Sequence, residues 1–133
     1  MQRHRTSYQT THYLSLTDPT RVEEVSYCGL PSNKYYDLAK KYTGDKGPGA
    51  LFSFSVKGGY EAAQKLVDTV EMISLVANLG DIRTLVAHPA SMMHRQLTED
   101  QQRAAGAGPE VIRLSIGIED AHDIIADLDQ ALQ

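Results

Sequence analysis

The sharpest pattern in the chain is an alternation. In Leu51-Phe-Ser-Phe-Ser-Val56, Phe52, Phe54 and Val56 share one side and Leu51, Ser53 and Ser55 the other, the period of two that marks a half-buried strand. Val111-Ile-Arg-Leu-Ser-Ile116 repeats it, with Ile112, Leu114 and Ile116 on one side and Val111, Arg113 and Ser115 opposite. Two helical stripes complement these strands. Tyr60, Ala63, Leu66, Val67 and Val70 follow the Gly58-Gly59 turn, and Ala121, Ile124, Ile125, Leu128, Ala131 and Leu132 run on from about Asp120; both have the spacing of one apolar helix face.

The remaining elements are shorter. Val22 to Tyr27 reads as a strand closed by Gly29 and Pro31, and Ser32 is placed to cap a helix with Tyr35, Leu38, Ala39 and Tyr42 on its apolar face. Glycines and Pro48 break the chain between Gly44 and Gly49. Ile73 to Ala77 has the length and composition of a buried strand, and Thr84 to His88 of another extended piece before Pro89. Thr98 and Gln101 stand at the spacing of a capping box that opens a brief helix ending by Gly106. Before Asp18-Pro19, the Thr- and Ser-rich run with Tyr8, Tyr13, Leu14 and Leu16 predicts only a weak helix. Together these predict an α+β fold, a small and mostly antiparallel sheet with helices on one face. The other face is then left to lean on something else.

Composition narrows the function classes. At 133 residues with 41% apolar and 23% charged content, the chain has the size and mixture of one globular domain. The net charge of -4, with no basic stripe, argues against nucleic acid as a partner. No apolar run approaches the roughly 20 residues of a membrane span, and no apolar stretch follows the basic N-terminus as in a signal peptide. A single cysteine, Cys28, allows no disulfide within the chain and fits a reducing compartment; a cytoplasmic location is expected. Cys28 has no paired base in its surroundings and reads as a small, half-buried residue. The histidines, His4, His12, His88, His94 and His122, show no metal-ligand spacing, so no metal site is expected. The acids near Asp120, Glu119 and Asp123 among them, suit the positive end of the last helix.

The candidate chemistry centres on Arg113, which the alternation puts on the strand face away from Ile112 and Leu114. A guanidinium there needs water, an acidic side chain of the same domain or a ligand carboxylate, because an unpaired buried charge costs several kcal/mol. Its planar fork matches a carboxylate with two parallel hydrogen bonds. The pattern by itself favours the surface or ion-paired arginine.

Several stretches change that balance. Val111-Ile-Arg-Leu-Ser-Ile-Gly-Ile-Glu-Asp120 with its following helix resembles the closing segment of the pyridoxal-phosphate enzymes of cysteine and methionine metabolism. Val76-Ala-Asn-Leu-Gly-Asp81, Leu85-Val-Ala-His-Pro-Ala-Ser91 and His94 are similar to a second signature block of that family. Tyr27-Cys-Gly-Leu-Pro-Ser32, Gly49-Ala-Leu-Phe-Ser-Phe54 and Lys57-Gly-Gly59 match further stretches in the family's order. The likeness runs from about Val22 to the end and is nearest to the O-acetylhomoserine sulfhydrylase branch, which carries Asn at position 78.

The resemblance implies a domain over residues 22–133 like the C-terminal, substrate-closing domain of fold-type I pyridoxal-phosphate transferases, with residues 1–21 as a remnant of the interdomain helix. It implies that Arg113 binds the substrate α-carboxylate and that Asn78 stands at the rim of the active site; from the residues themselves, Asn78 reads equally as a turn residue bonded to its own backbone. His88 to Ser91 reads as structural. The implied reaction is γ-replacement, in which sulfide or a thiol displaces acetate from O-acetylhomoserine to give homocysteine or methionine. Runner-up readings are a domain of the cystathionine γ-synthase or γ-lyase type and a non-catalytic amino-acid-binding domain. The family is homo-oligomeric and holds its cofactor, pyridoxal phosphate, largely on a bigger domain that is expected here to be missing or separately encoded. None of Lys34, Lys40, Lys41, Lys46, Lys57 and Lys65 stands in the Ser-x-Thr-Lys type of setting of the cofactor lysine. The chain alone is therefore expected to bind no cofactor and to be inactive.

Overall fold

The structure, a computed structural model, describes residues 20–133. The weak helix expected before Pro19 and nearly all of the 1–21 segment lie outside the described residues. In chain order the elements are β1 (Val22–Ser26), α1 (Tyr36–Thr43), a single 3-10 turn (Gly44–Lys46), β2 (Leu51–Val56), α2 (Gly59–Thr69), β3 (Ser74–Leu75), β4 (Leu85–Ala87), α3 (Pro89–Met92), α4 (Glu99–Ala104), β5 (Val111–Ser115) and α5 (Ala121–Ala131). The strands form one five-stranded sheet in the order β1-β2-β5-β4-β3. Every pairing is antiparallel except β3 with β4. This is the α+β, mostly antiparallel architecture that the alternations predict.

Register assigns the two faces. Phe54 pairs with Ile112, and Phe52 with Leu114, which pairs in turn with Val86. These residues are buried with Ala63, Leu66 and Val67 of α2 and Ile124, Leu128 and Ala131 of α5. Each large aliphatic or aromatic side chain so buried stabilises the fold by about 1.5–3 kcal/mol before entropy is counted. On the opposite face, one cross-strand row runs Ser26–Ser53–Arg113–Ala87.

Helix ends follow local chemistry. The capping box of α4 is complete, with the Thr98 amide donating to the Gln101 side-chain oxygen at 3.0 Å and the Gln101 amide to the Thr98 hydroxyl. Asp120 caps α5 by accepting from the His122 amide at 2.8 Å. Pro89 occupies the first position of α3, where its missing N–H leaves no bond unmade.

Several expectations are corrected. Ser32 caps nothing: α1 starts at Tyr36 without a side-chain cap, and Asn33 instead turns the chain by accepting from the Tyr35 amide at 3.0 Å. The stripe on α1 is solvent-facing, with Tyr35 53%, Leu38 49% and Tyr42 75% exposed. Ile73 to Ala77 is no buried strand. Only Ile73 is buried, and the strand shrinks to Ser74–Leu75 at the sheet edge, because a short apolar run does not reveal whether both of its sides are covered. Tyr60 is likewise 43% exposed, its ring standing edge-on to His88.

Candidate functional site

Among the described residues, two shallow cavities lie along the open face of the sheet. One of about 250 Å³ is lined by Ser26, Leu51, Ser53, Pro89, Gly106 and Arg113 among others. The second, of about 330 Å³, continues toward Glu24, Ser55, Arg103 and Glu110. Arg113 stands in the central strand β5, beside the first cavity and away from α2 and α5. Its contacts are weak and neutral. Nη1 reaches the Met93 Sδ at 3.5 Å and Nη2 the Asn78 carbonyl oxygen at 3.4 Å. Among the described residues no carboxylate lies within ion-pair distance of it, whereas Arg83 pairs with Asp81 at 3.1 Å and Arg103 with Glu99 at 2.9 Å and Glu110 at 2.6 Å. Of the alternatives left open by the sequence, the arginine paired with an acid of its own domain is the one this geometry removes.

The structure thus brings Arg113 and Asn78 together, but through the Asn78 backbone. The Asn78 side chain is exposed and its Oδ1 accepts from the Leu79 amide at 2.9 Å, as in the turn reading. The loop carrying Asn78 is braced from several sides. The Gly80 amide donates to the Ser115 hydroxyl at 3.2 Å, and the Ile118 amide to the Ile82 carbonyl at 2.9 Å. The Asp81–Arg83 hydrogen bond holds the Asp81 carboxyl below the usual carboxylate range.

Glu119 has a role the sequence does not suggest. It does not serve the last helix; its carboxylate accepts from the Thr84 amide and hydroxyl, the latter at 2.8 Å. The Thr84 hydroxyl in turn accepts from the Gly117 amide at 3.0 Å. Position 117 must be glycine here, because a Cβ would run into the Ile82 carbonyl oxygen and the Arg83 carbonyl carbon. Gly29 is a second close approach, packed over the ring of Tyr27, whose hydroxyl donates to the Gly49 carbonyl at 2.9 Å.

His88 is fully buried and structural. Its Nε2 lies 2.8 Å from the Pro109 carbonyl, which can only accept, so Nε2 carries a proton. Nδ1 meets the Ser91 hydroxyl at 3.0 Å. Cys28 is half-buried, with its thiol 3.5 Å from the Pro48 carbonyl. Among the described residues no group of three His, Cys, Asp or Glu side chains is assembled for a metal ion.

The most strongly bonded buried acid is Asp127 in α5. Burial opposes its charge, but the amides of Glu71 and Ile73, the Gln130 side chain and the Met72 amide, all donating to it, outweigh that and hold its carboxyl below the ordinary value. It pins α5 to the turn between α2 and β3. The signal for it is present in the sequence: Asp127 falls on the apolar stripe, between Ile124 and Ala131.

Comparison with known proteins places these features. A family model described as Cys/Met metabolism PLP-dependent enzyme matches residues 1–133. O-acetyl-L-homoserine sulfhydrylase 1 of Thermus thermophilus is 46% identical over 117 residues, 88% of this chain and 28% of its own length. An L-methionine gamma-lyase of Fusobacterium nucleatum is 44% identical over 113 residues, 85% of this chain and again 28% of its own length. The crystal structure of cystathionine gamma-lyase from yeast superimposes with a TM-score of 0.87 at 33% identity, covering 98% of this chain and 34% of that one. The chain therefore spans about a third or less of the proteins it matches.

Proposed function

The chain belongs to the Cys/Met metabolism PLP-dependent enzyme family, and on that premise we propose that it is the substrate-closing part of an O-acetylhomoserine sulfhydrylase, with Arg113 as the group that grips the amino-acid carboxylate. One observation carries this reading. The Arg113 guanidinium projects from the open face without an acidic partner among the described residues, held only by a carbonyl and a thioether. A guanidinium has five N–H donors. With two engaged weakly, three remain for a fork-to-fork contact with a carboxylate.

Among the described residues the lysines form no seat for pyridoxal phosphate. All six lysines are exposed and none lines the cavity beside Arg113. Three of them, Lys34, Lys40 and Lys41, lie over the tyrosine rings of α1 or its start. The cofactor is held, in this proposal, by polypeptide beyond these residues, and this chain alone does not turn over substrate. What it supplies is the recognition of an α-carboxylate.

The reaction proposed is replacement of the acetate of O-acetylhomoserine by sulfide or a thiol, in a cytoplasmic, homo-oligomeric enzyme. The test is steady-state kinetics of this chain assembled with its cofactor-bearing polypeptide. Arg113→Ala is expected to raise KM for O-acetylhomoserine by about 30-fold or more and to leave KM for sulfide unchanged. An unchanged KM for the amino acid would overturn the assignment. The likeness to gamma-lyases gives the second reading its footing: release of a 2-oxo acid from methionine or cystathionine without added thiol, faster than replacement, would favour it.

A further inference from the structure

Arg113 is held by a neighbour of unusual type. The acceptor at its Nη1 is a thioether, the Met93 Sδ at 3.5 Å. We infer that Met93 is a positioning residue for the carboxylate site, its sulfur fixing the plane of the Arg113 guanidinium; this rests on the reading of Arg113 given above.

Three features support the inference. First, the backbone that carries Met93 is fixed, although the side chain itself is 37% exposed. It forms the end of α3, with its amide donating to the Pro89 carbonyl at 3.0 Å. The start of α3 is fixed by the buried His88, tied to the Pro109 carbonyl and to Ser91. Second, Met92 and Met93 are not interchangeable. The Met92 Sδ faces the other way and accepts from the His88 amide at 3.4 Å, so only Met93 serves Arg113. Third, the acceptor strength suits the task. A carboxylate at this place would neutralise the arginine and compete with substrate, and an alkyl chain would leave it free to swing. A polarisable thioether restrains the fork without closing it. The Asn78 carbonyl at Nη2 provides the second point that defines the plane.

The experiment is an NMR titration of the full chain with O-acetyl-L-homoserine, following the Arg113 side-chain N–H signals and the Met93 methyl signal. The methyl ester, which has no carboxylate, is the control. The wild-type chain is expected to shift both signals with the free acid and neither with the ester. Met93→Leu keeps the bulk and loses the acceptor, and should weaken binding about threefold, whereas Met93→Gln, which offers an amide oxygen at similar reach, should restore most of it. If Arg113 responds while Met93→Leu binds as tightly as wild type, the inference about Met93 is overturned and the Arg113 assignment stands. If Arg113 does not respond to the free acid at all, the assignment falls and the inference with it.

Discussion

Replacing Asp127 by alanine is expected to destabilise the protein by about 3–4 kcal/mol. Asp127 is 7% exposed, and its carboxylate accepts from three consecutive backbone amides, those of Glu71 at 2.8 Å, Met72 at 2.9 Å and Ile73 at 2.9 Å, and from the Gln130 side chain at 3.0 Å. Alanine takes that acceptor from the three backbone amides, while the Gln130 amide keeps its bond to the Thr69 carbonyl at 2.9 Å. The Ile73 amide is buried, so its loss counts as a full unsatisfied group, about 2 kcal/mol; the amides of exposed Glu71 and Met72 can turn partly to water and count about 0.5–1 kcal/mol each. Asparagine keeps one acceptor but turns an N–H₂ toward amide donors, and should cost about 2 kcal/mol. Urea unfolding followed by circular dichroism gives these values from the midpoint and slope. The pH dependence has a definite sign. Because the folded carboxyl titrates below its unfolded value of about 3.9, its contribution is fully present above that value and is lost as pH falls through the folded one. Wild type should therefore lose stability below about pH 4 more steeply than Asp127→Asn. A loss under about 1 kcal/mol for alanine, at neutral pH, would refute the reasoning.

Two further outcomes follow from the geometry. Gly117→Ala should cost about 1–3 kcal/mol in the same assay, since its Cβ would meet the Ile82 and Arg83 backbone; a loss below about 0.5 kcal/mol would mean that the 117–119 segment and the loop beside it yield easily. Pyridoxal phosphate added to the chain and trapped by borohydride reduction should label the exposed lysines at scattered, substoichiometric levels. One lysine labelled stoichiometrically, by mass spectrometry of the digest, would contradict the proposal that none of these lysines forms a seat for the cofactor.

What was legible in the sequence depended on periodicity. The alternations of β2 and β5 fixed the two sheet faces and placed Arg113 away from the helices, because a strand residue has only two sides to choose between. The α2 and α5 stripes and the Thr98 capping box were readable for the same local reason. Coverage was not readable. The apolar residues of α1 and of Leu75–Val76 look like core in sequence, yet they face solvent, since burial depends on a neighbour that periodicity does not name. Long-range polar partners were also hidden. Glu119 and Thr84 are 35 positions apart, and Asp127 and Ile73 are 54 apart, so only the fold joins them. Met93 and Arg113 are 20 positions apart, and only the fold brings the sulfur to the guanidinium.

The function proposed above centres on an arginine, on the sheet face away from α2 and α5, that takes a substrate carboxylate. The most direct test of that proposal is a crystal structure of the pyridoxal-phosphate-loaded enzyme that contains this chain, soaked with O-acetylhomoserine. The account predicts both carboxylate oxygens within about 2.7–2.9 Å of Arg113 nitrogens. A bound substrate whose carboxylate is held elsewhere, with Arg113 still resting only on Asn78 and Met93, would contradict it.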